Sequence, residues 1–220
     1  MKNFLDIQDK VLLFDFDGTV VVTEILAKKV ISAYFKEMRV AVPDGFSDMI
    51  VGRTWKAAVD EMQVRAMALG LKLASSELLL AEFRRRYQEA FAEGVPLVPG
   101  FKELLPELKA KSKFMGIVTG SERHEVEAIL GAHGLQDEFE RIWAFGDYEF
   151  SKPHPSPYLT ALEGLNVNPA EVIVFEDSKA GMESAHLAKL KWVQIAFEAH
   201  AQEPDARSLL MIRDWRELQI

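Results

Sequence analysis

The chain has 220 residues, of which 49% are hydrophobic and 27% charged, a size and balance that suit one globular core with a modest insertion. It contains no cysteine, which excludes disulfides, thiolate metal sites and a cysteine nucleophile. With 26 Lys+Arg against 34 Asp+Glu, a net charge of −8, it lacks the basic footprint that nucleic acid requires, so no nucleic-acid partner is expected.

Met1 to Lys10 is polar, too poor in apolar residues for a signal peptide. No apolar run approaches the roughly 20 residues of a membrane helix. A soluble, cytoplasmic protein with no membrane partner is expected, and a monomer is the simplest state. Val11–Phe14 is the first run apolar on both faces, as central parallel strands are. From about Val22 to Gly94 the pattern turns helical. One stripe joins Leu26, Val30, Tyr34 and Met38. A second joins Trp55, Val59, Met62, Ala66 and Leu69, and a third Leu79, Phe83, Tyr87 and Phe91. Arg84, Arg85 and Arg86 read as a solvated face. Pro96, Pro99 and Gly100 mark the return to the core. Pro106 kinks the helix around it or delays its start.

Strand-like runs then alternate with helical patterns. Phe114–Val118, Ile142–Phe145, Val172–Phe175 and Trp192–Ala196 are the runs. Val126, Ile129 and Leu130 give one helical face; Tyr158, Leu159, Leu162 and Leu165 give another, with Ser156 expected as its N-cap and Pro157 at its first position. Strands alternating with helices predict a doubly wound, Rossmann-like α/β fold with a parallel sheet. The expected catalytic core is residues 1–20 and 96–220, and residues 21–95 form an inserted helical cap.

Chemistry-bearing residues follow these strands. Val11–Phe14 runs into Asp15-Phe16-Asp17-Gly18-Thr19, and Phe114–Val118 into Thr119-Gly120-Ser121. Lys152-Pro153 follows the third run, and Val172–Phe175 runs into Glu176-Asp177-Ser178. Ligands of open parallel sheets bind outside the carboxyl ends of the strands. Carboxylates, a hydroxyl and a lysine therefore converge on one crevice. A carboxylate nucleophile is repelled by a phosphate dianion unless a cation joins them. Mg²⁺, which takes oxygen ligands and keeps several waters, suits Asp15 and Asp177. Thr119, the backbone N–H groups near Gly120 and Gly18, and Lys152 supply donors for the phosphoryl oxygens. Asp17 is placed to protonate the leaving group, provided a turn at Gly18 separates its role from that of Asp15.

The ordered set resembles the four motifs of the haloacid dehalogenase superfamily: Asp15-Phe16-Asp17-Gly18-Thr19, the run ending at Thr119, Lys152-Pro153, and Glu176-Asp177-Ser178 with Gly181 following. The helical insertion is similar to the small α-helical cap of the subgroup that includes phosphoglycolate phosphatases and β-phosphoglucomutases. The resemblance implies that Asp15 is the nucleophile and Asp17 the general acid, then the base. Thr119, Gly120 and Lys152 would bind the phosphoryl group. Mg²⁺ would be held by Asp15, the Asp17 backbone carbonyl and Asp177, with Glu176 a ligand through water or an orienting group. Many relatives carry an Asp where this chain has Val22, which leaves the core chemistry intact but changes the entry to the cap.

Each piece has a plainer reading on its own. Asp-Gly is a turn signal, Thr119-Gly120-Ser121 ends a strand and caps a helix, Lys152 is a loop lysine, and Ser178 caps the next helix. His124, His133, His154, His186 and His200 show no metal spacing. Arg53 and Lys56 lie where a cap contacts substrate, or they begin a solvated helix. The expected activity is hydrolysis of small phosphorylated metabolites. A sugar phosphomutase uses the same core, and a non-catalytic binding module would retain only the fold. Halide displacement and phosphonate cleavage both dispense with a second aspartate, which is present here as Asp17.

Overall fold

Residues apolar on both faces are buried only where helices cover both sides of a sheet, and the observed architecture provides this. The computed structural model describes residues 3–50, 55–197 and 203–220. They form two compact units, Met1–Val22 with Pro96–Ile220, and Thr23–Val95.

In the first unit, β1 (Asn3–Phe4) pairs with β8 (Leu218–Gln219) in a small parallel sheet. The main sheet is built from β2 (Val11–Phe14), β3 (Phe114–Val118), β4 (Arg141–Trp143), β5 (Val172–Glu176), β6 (Lys191–Ile195) and β7 (Leu210–Ile212). Its six strands run parallel in the order β4-β3-β2-β5-β6-β7. The chain winds outward from β2 to β4 and then returns beside β2 as β5. This reversal places the switch point, where such sheets bind ligands, at the carboxyl ends of β2 and β5.

Alternation along β2 divides the core into two layers. Val11 and Leu13 pack with Tyr158, Ala161 and Leu162 of α6 (Ser156–Leu165) and with Met182 and Ala185 of α7 (Lys179–Leu187). Phe14 faces the other way. Its ring stacks on Phe175 at 4.9 Å and meets the edges of Phe101 and Phe139. Trp215 lies 5.0 Å from Phe175 and donates its indole N–H to the Thr19 carbonyl at 3.0 Å.

Local chemistry set several boundaries differently from the sequence expectation. The third run ends at Trp143 rather than Phe145, and Phe145 is 55% exposed. The Ala144 N–H is taken by the Asp147 carboxylate and the Phe145 N–H by the Ser121 carbonyl, so the ladder stops. The helix α6 is preceded by Pro155, not capped by Ser156. The Ser156 N–H instead donates to Nδ1 of His154. Ser178 does cap α7, accepting from the Gly181 N–H at 2.9 Å. The helix α4 (Phe101–Lys111) begins ahead of Pro106 and runs through it. Ser121 does not cap α5 (Arg123–His133); Glu122 holds that position without a side-chain bond.

The second unit is helical. It contains α1 (Thr23–Glu37), a 3₁₀ turn at Ser47–Ile50, α2 (Trp55–Ala68) and α3 (Ser76–Glu93). Its core joins Val30, Ile31, Phe35, Phe46, Val59, Met62, Leu79 and Phe83. The face α1 buries is rotated from the expected stripe: Ile31 and Phe35 are buried, and Met38 is exposed beyond the helix end. The arginine run is not uniformly solvated. Arg86 reaches Glu37 of α1 at 2.7 Å and Glu82 at 2.7 Å, and its guanidinium lies over the Tyr34 ring at 5.2 Å. The Lys56 side chain pairs with exposed Asp60, as at a solvated helix start.

Phe14 is fully buried among four aromatic rings. Phe14→Ala is expected to lower the stability of the first unit by about 3–5 kcal/mol. Urea unfolding followed by tryptophan fluorescence would measure this, and a loss below about 1 kcal/mol would mean that the sheet face repacks around the cavity.

Candidate functional site

Asp15 is the first residue past β2, and its N–H donates to the Phe175 carbonyl at 2.9 Å, extending the strand by one residue. The chain then curls on the Phe16 carbonyl, which accepts from the N–H groups of Thr19, Val20 and Val21. Gly18 completes the turn at φ +86. A Cβ there would lie 2.1 Å from Oδ2 of Asp177, so this loop approaches the end of β5 only because residue 18 has no side chain.

The turn sends the two aspartates of this loop to different partners. Oδ1 of Asp15 accepts from Nζ of Lys152 at 2.7 Å. The same ammonium donates to Oε1 of Glu176 at 2.5 Å and to the Val118 carbonyl at 2.8 Å. Its three donors are thereby matched to three acceptors. The hydroxyl of Tyr158 donates to Oε1 of Glu176 at 2.8 Å, and its ring lies 5.1 Å below the ammonium. Oε2 of Glu176 accepts from the Ser178 hydroxyl at 3.2 Å and from its N–H at 3.4 Å. A Cβ at Gly181 would sit 1.9 Å from Oε1 of Glu176, so the first turn of α7 also has to be bare.

Burial shapes the electrostatics. It pushes the Asp15 carboxyl up to about 8 in spite of the Lys152 ammonium, and the charges of Glu176 and Asp17 push in the same direction. Burial alone would pull Lys152 down, but facing Asp15 and Glu176 outweighs it and holds the ammonium well above its usual value. Burial, then the Glu176 charge, raises the Tyr158 hydroxyl well above its usual value, so it serves as a neutral donor.

Asp17 faces the end of β3. Its Oδ2 accepts from the Ser121 hydroxyl at 2.5 Å and, at a longer 3.4 Å, from that of Thr119. The Thr119 hydroxyl in turn accepts from the Ser121 N–H at 3.0 Å, across an exposed Gly120. The hydroxyl of Tyr148 donates to the Thr119 carbonyl at 2.7 Å. Of the expected site residues, Asp15, Lys152, Glu176 and Asp177 meet in one cluster, and Asp17 with Thr119 lies beside it. Arg53 lies outside the described residues. Sequence reasoning missed Ser121, Tyr148 and Tyr158. Tyr158 read as part of an apolar helical stripe, although a buried tyrosine hydroxyl usually finds a partner.

Asp15, Glu176 and Asp177 each offer a carboxylate oxygen within 4.8 Å of the others, and all three are buried. Three carboxyl groups gathered against one ammonium offer the oxygen ligands that a small, hard divalent cation takes. The bare Gly18 lets Asp177 come close enough to the first loop to join this group. The fit favours Asp15 and Asp177 as ligands, since both Glu176 oxygens already have donors.

A model of the family described as haloacid dehalogenase-like hydrolase matches residues 12–195. The chain is 32% identical over 192 residues to protein CbbY of Rhodobacter capsulatus, covering 84% of each. It is 29% identical over 185 residues to the phosphorylated carbohydrates phosphatase of Thermotoga maritima, covering 82% of each. Among solved structures it superposes on β-phosphoglucomutase of Clostridium difficile with a TM-score of 0.69 and 20% identity, over 96% of this chain and 94% of that one, a likeness of fold.

Lys152→Met would leave Asp15 and Glu176 facing each other without their shared cation. A destabilisation of about 3–5 kcal/mol is expected at neutral pH, because removing one partner strands a buried charge. Chemical denaturation of the variant would measure this, and a neutral effect would show that the two carboxyls are already relieved by proton uptake.

Proposed function

The chain belongs to the haloacid dehalogenase-like hydrolase family, and on that premise we propose that it hydrolyses small phosphate monoesters through a phosphoryl group carried on Asp15. The observation that carries this reading is the separation of two carboxyls two residues apart. Asp15 faces an ammonium and Asp17 faces hydroxyls. The first environment suits a nucleophile held beside a phosphate; the second suits a group that exchanges a proton.

In this reading the Asp15 oxygen attacks phosphorus, the phosphorus–oxygen bond of the ester breaks, and the leaving oxygen takes a proton from Asp17. Water then attacks the phosphoryl group on Asp15 and gives a proton to Asp17. Inorganic phosphate and the Asp15 carboxylate are released. Thr119, the Gly120 N–H and Lys152 hold the phosphoryl oxygens, Lys152 by turning to them one of the donors now engaged with protein acceptors. Mg²⁺, with Asp15, Asp177 and the Asp17 backbone carbonyl as its protein ligands and Glu176 orienting the set, would offset the repulsion between phosphate and carboxylates.

The substrate class we assign is phosphorylated carbohydrate, supported by the relative that acts on such compounds. Residues 23–95 would be the cap that selects the substrate, with Arg53 a contact to it. A cytoplasmic monomer completes the reading.

Phosphate release from a panel of sugar and sugar-alcohol phosphates tests this directly. Mg²⁺-dependent release is expected, falling more than about a thousandfold in Asp15→Asn. Asp177→Asn is expected to raise the Mg²⁺ concentration for half-activity by about tenfold or more. Interconversion of sugar phosphates without phosphate release would replace hydrolysis with a mutase activity.

A further inference from the structure

Ser121 is not required by the chemistry assigned so far, yet it makes the shortest contact to Asp17. Its hydroxyl is 2.5 Å from Oδ2, against 3.4 Å for the Thr119 hydroxyl. The backbone around it is clamped on both sides. The Ser121 N–H donates to the Thr119 hydroxyl at 3.0 Å, and its carbonyl accepts from the Phe145 N–H at 3.0 Å. Tyr148 fixes the preceding turn through the Thr119 carbonyl. A half-buried serine held this way presents its hydroxyl in one place. Among the described residues, Oδ1 of Asp17 accepts no hydrogen bond, so the two oxygens of this carboxyl are inequivalent.

From this geometry, and resting on the hydrolase reading above, we infer that Ser121 is a positioning residue for Asp17. It donates to Oδ2, locks the carboxyl rotamer, and leaves Oδ1 as the oxygen that gives the proton to the leaving group and later takes one from water. A hydroxyl that donates to Oδ2 occupies that oxygen as an acceptor, which leaves Oδ1 as the oxygen open to the leaving group and to water. The same bond stops the side chain swinging away from the ester oxygen. Misplacement of about 1 Å costs about a hundredfold in proximity-driven steps.

This role has a signature that structural support or substrate binding lacks. Proton donation matters most when the leaving group is a poor one. An alkyl alcohol departs badly as an alkoxide, whereas p-nitrophenolate departs without help. The test compares kcat/KM for glycerol 2-phosphate and p-nitrophenyl phosphate with Mg²⁺ present, using the whole chain and its Ser121→Ala, Ser121→Thr and Asp17→Asn variants. General acid–base help contributes about a hundredfold or more. Ser121→Ala is expected to lose about tenfold on the alkyl ester and less than about threefold on the aryl ester, a part of that contribution. Ser121→Thr, which keeps a hydroxyl, should restore most of the loss. In an Asp17→Asn background, Ser121→Ala should add nothing, because the group it positions is gone.

Equal losses on the two esters would overturn the inference, as would a rise in KM at constant kcat, which would make Ser121 a substrate contact. A full Ser121→Ala effect persisting in the Asp17→Asn background would also overturn it. These outcomes are separable from failure of the hydrolase reading, in which the unmodified chain would release phosphate from neither ester.

Discussion

One ammonium stands between two buried carboxylates, and much of the site is arranged around it. Lys152 touches Asp15 and Glu176 while being only 10% exposed itself. An arrangement this dry is stable only if every donor and acceptor is matched. The third Lys152 donor goes to the Val118 carbonyl, and Tyr158 and Ser178 satisfy Glu176. The ends of β2, β3 and β5 are thus tied together by one side chain from the segment ahead of α6. Two glycines clear the space: Gly18 lets the first loop approach Asp177, and Gly181 lets α7 start against Glu176.

The rigidity behind this cluster is aromatic. Phe14, Phe175, Phe101, Phe139 and Trp215 pack on one face of the sheet directly behind the loops, and Trp215 holds the Thr19 carbonyl. Register transmits this order. Phe14 lies opposite Phe175, so the residues that follow each, Asp15 and Glu176, emerge side by side. A slip of either strand by one residue would turn its carboxylate to the wrong face. The polar cluster and the aromatic layer are therefore two consequences of one strand alignment.

The helical unit of residues 23–95 follows different physics. It has its own core, with Phe35, Phe46 and Phe83 in edge-to-face contacts. Its helices α1 and α3 are joined at the surface through Arg86, which binds Glu37 and covers Tyr34. Such a unit holds together through its own core and can vary its exposed residues without unpacking it.

Apolar runs and ordered carboxylates were legible in the sequence because they depend on local pattern. Val11–Phe14, Phe114–Val118 and Val172–Phe175 are apolar on both faces, and that alone implies a covered parallel sheet with its polar residues at the carboxyl ends. Family membership followed from the order of Asp15, Thr119, Lys152 and Glu176-Asp177. Short or half-buried elements were not legible: β7 and the β1–β8 pair carry too few residues for periodicity, and the fourth strand stopped early because Asp147 and Ser121 took its hydrogen bonds. Tyr158 and Ser121 are ordinary in sequence, one in a hydrophobic stripe and one in a loop. Only the tertiary structure put their hydroxyls on Glu176 and Asp17, because hydrogen bonds between residues 18 and 104 positions apart are set by strand register and helix placement, which no local pattern encodes.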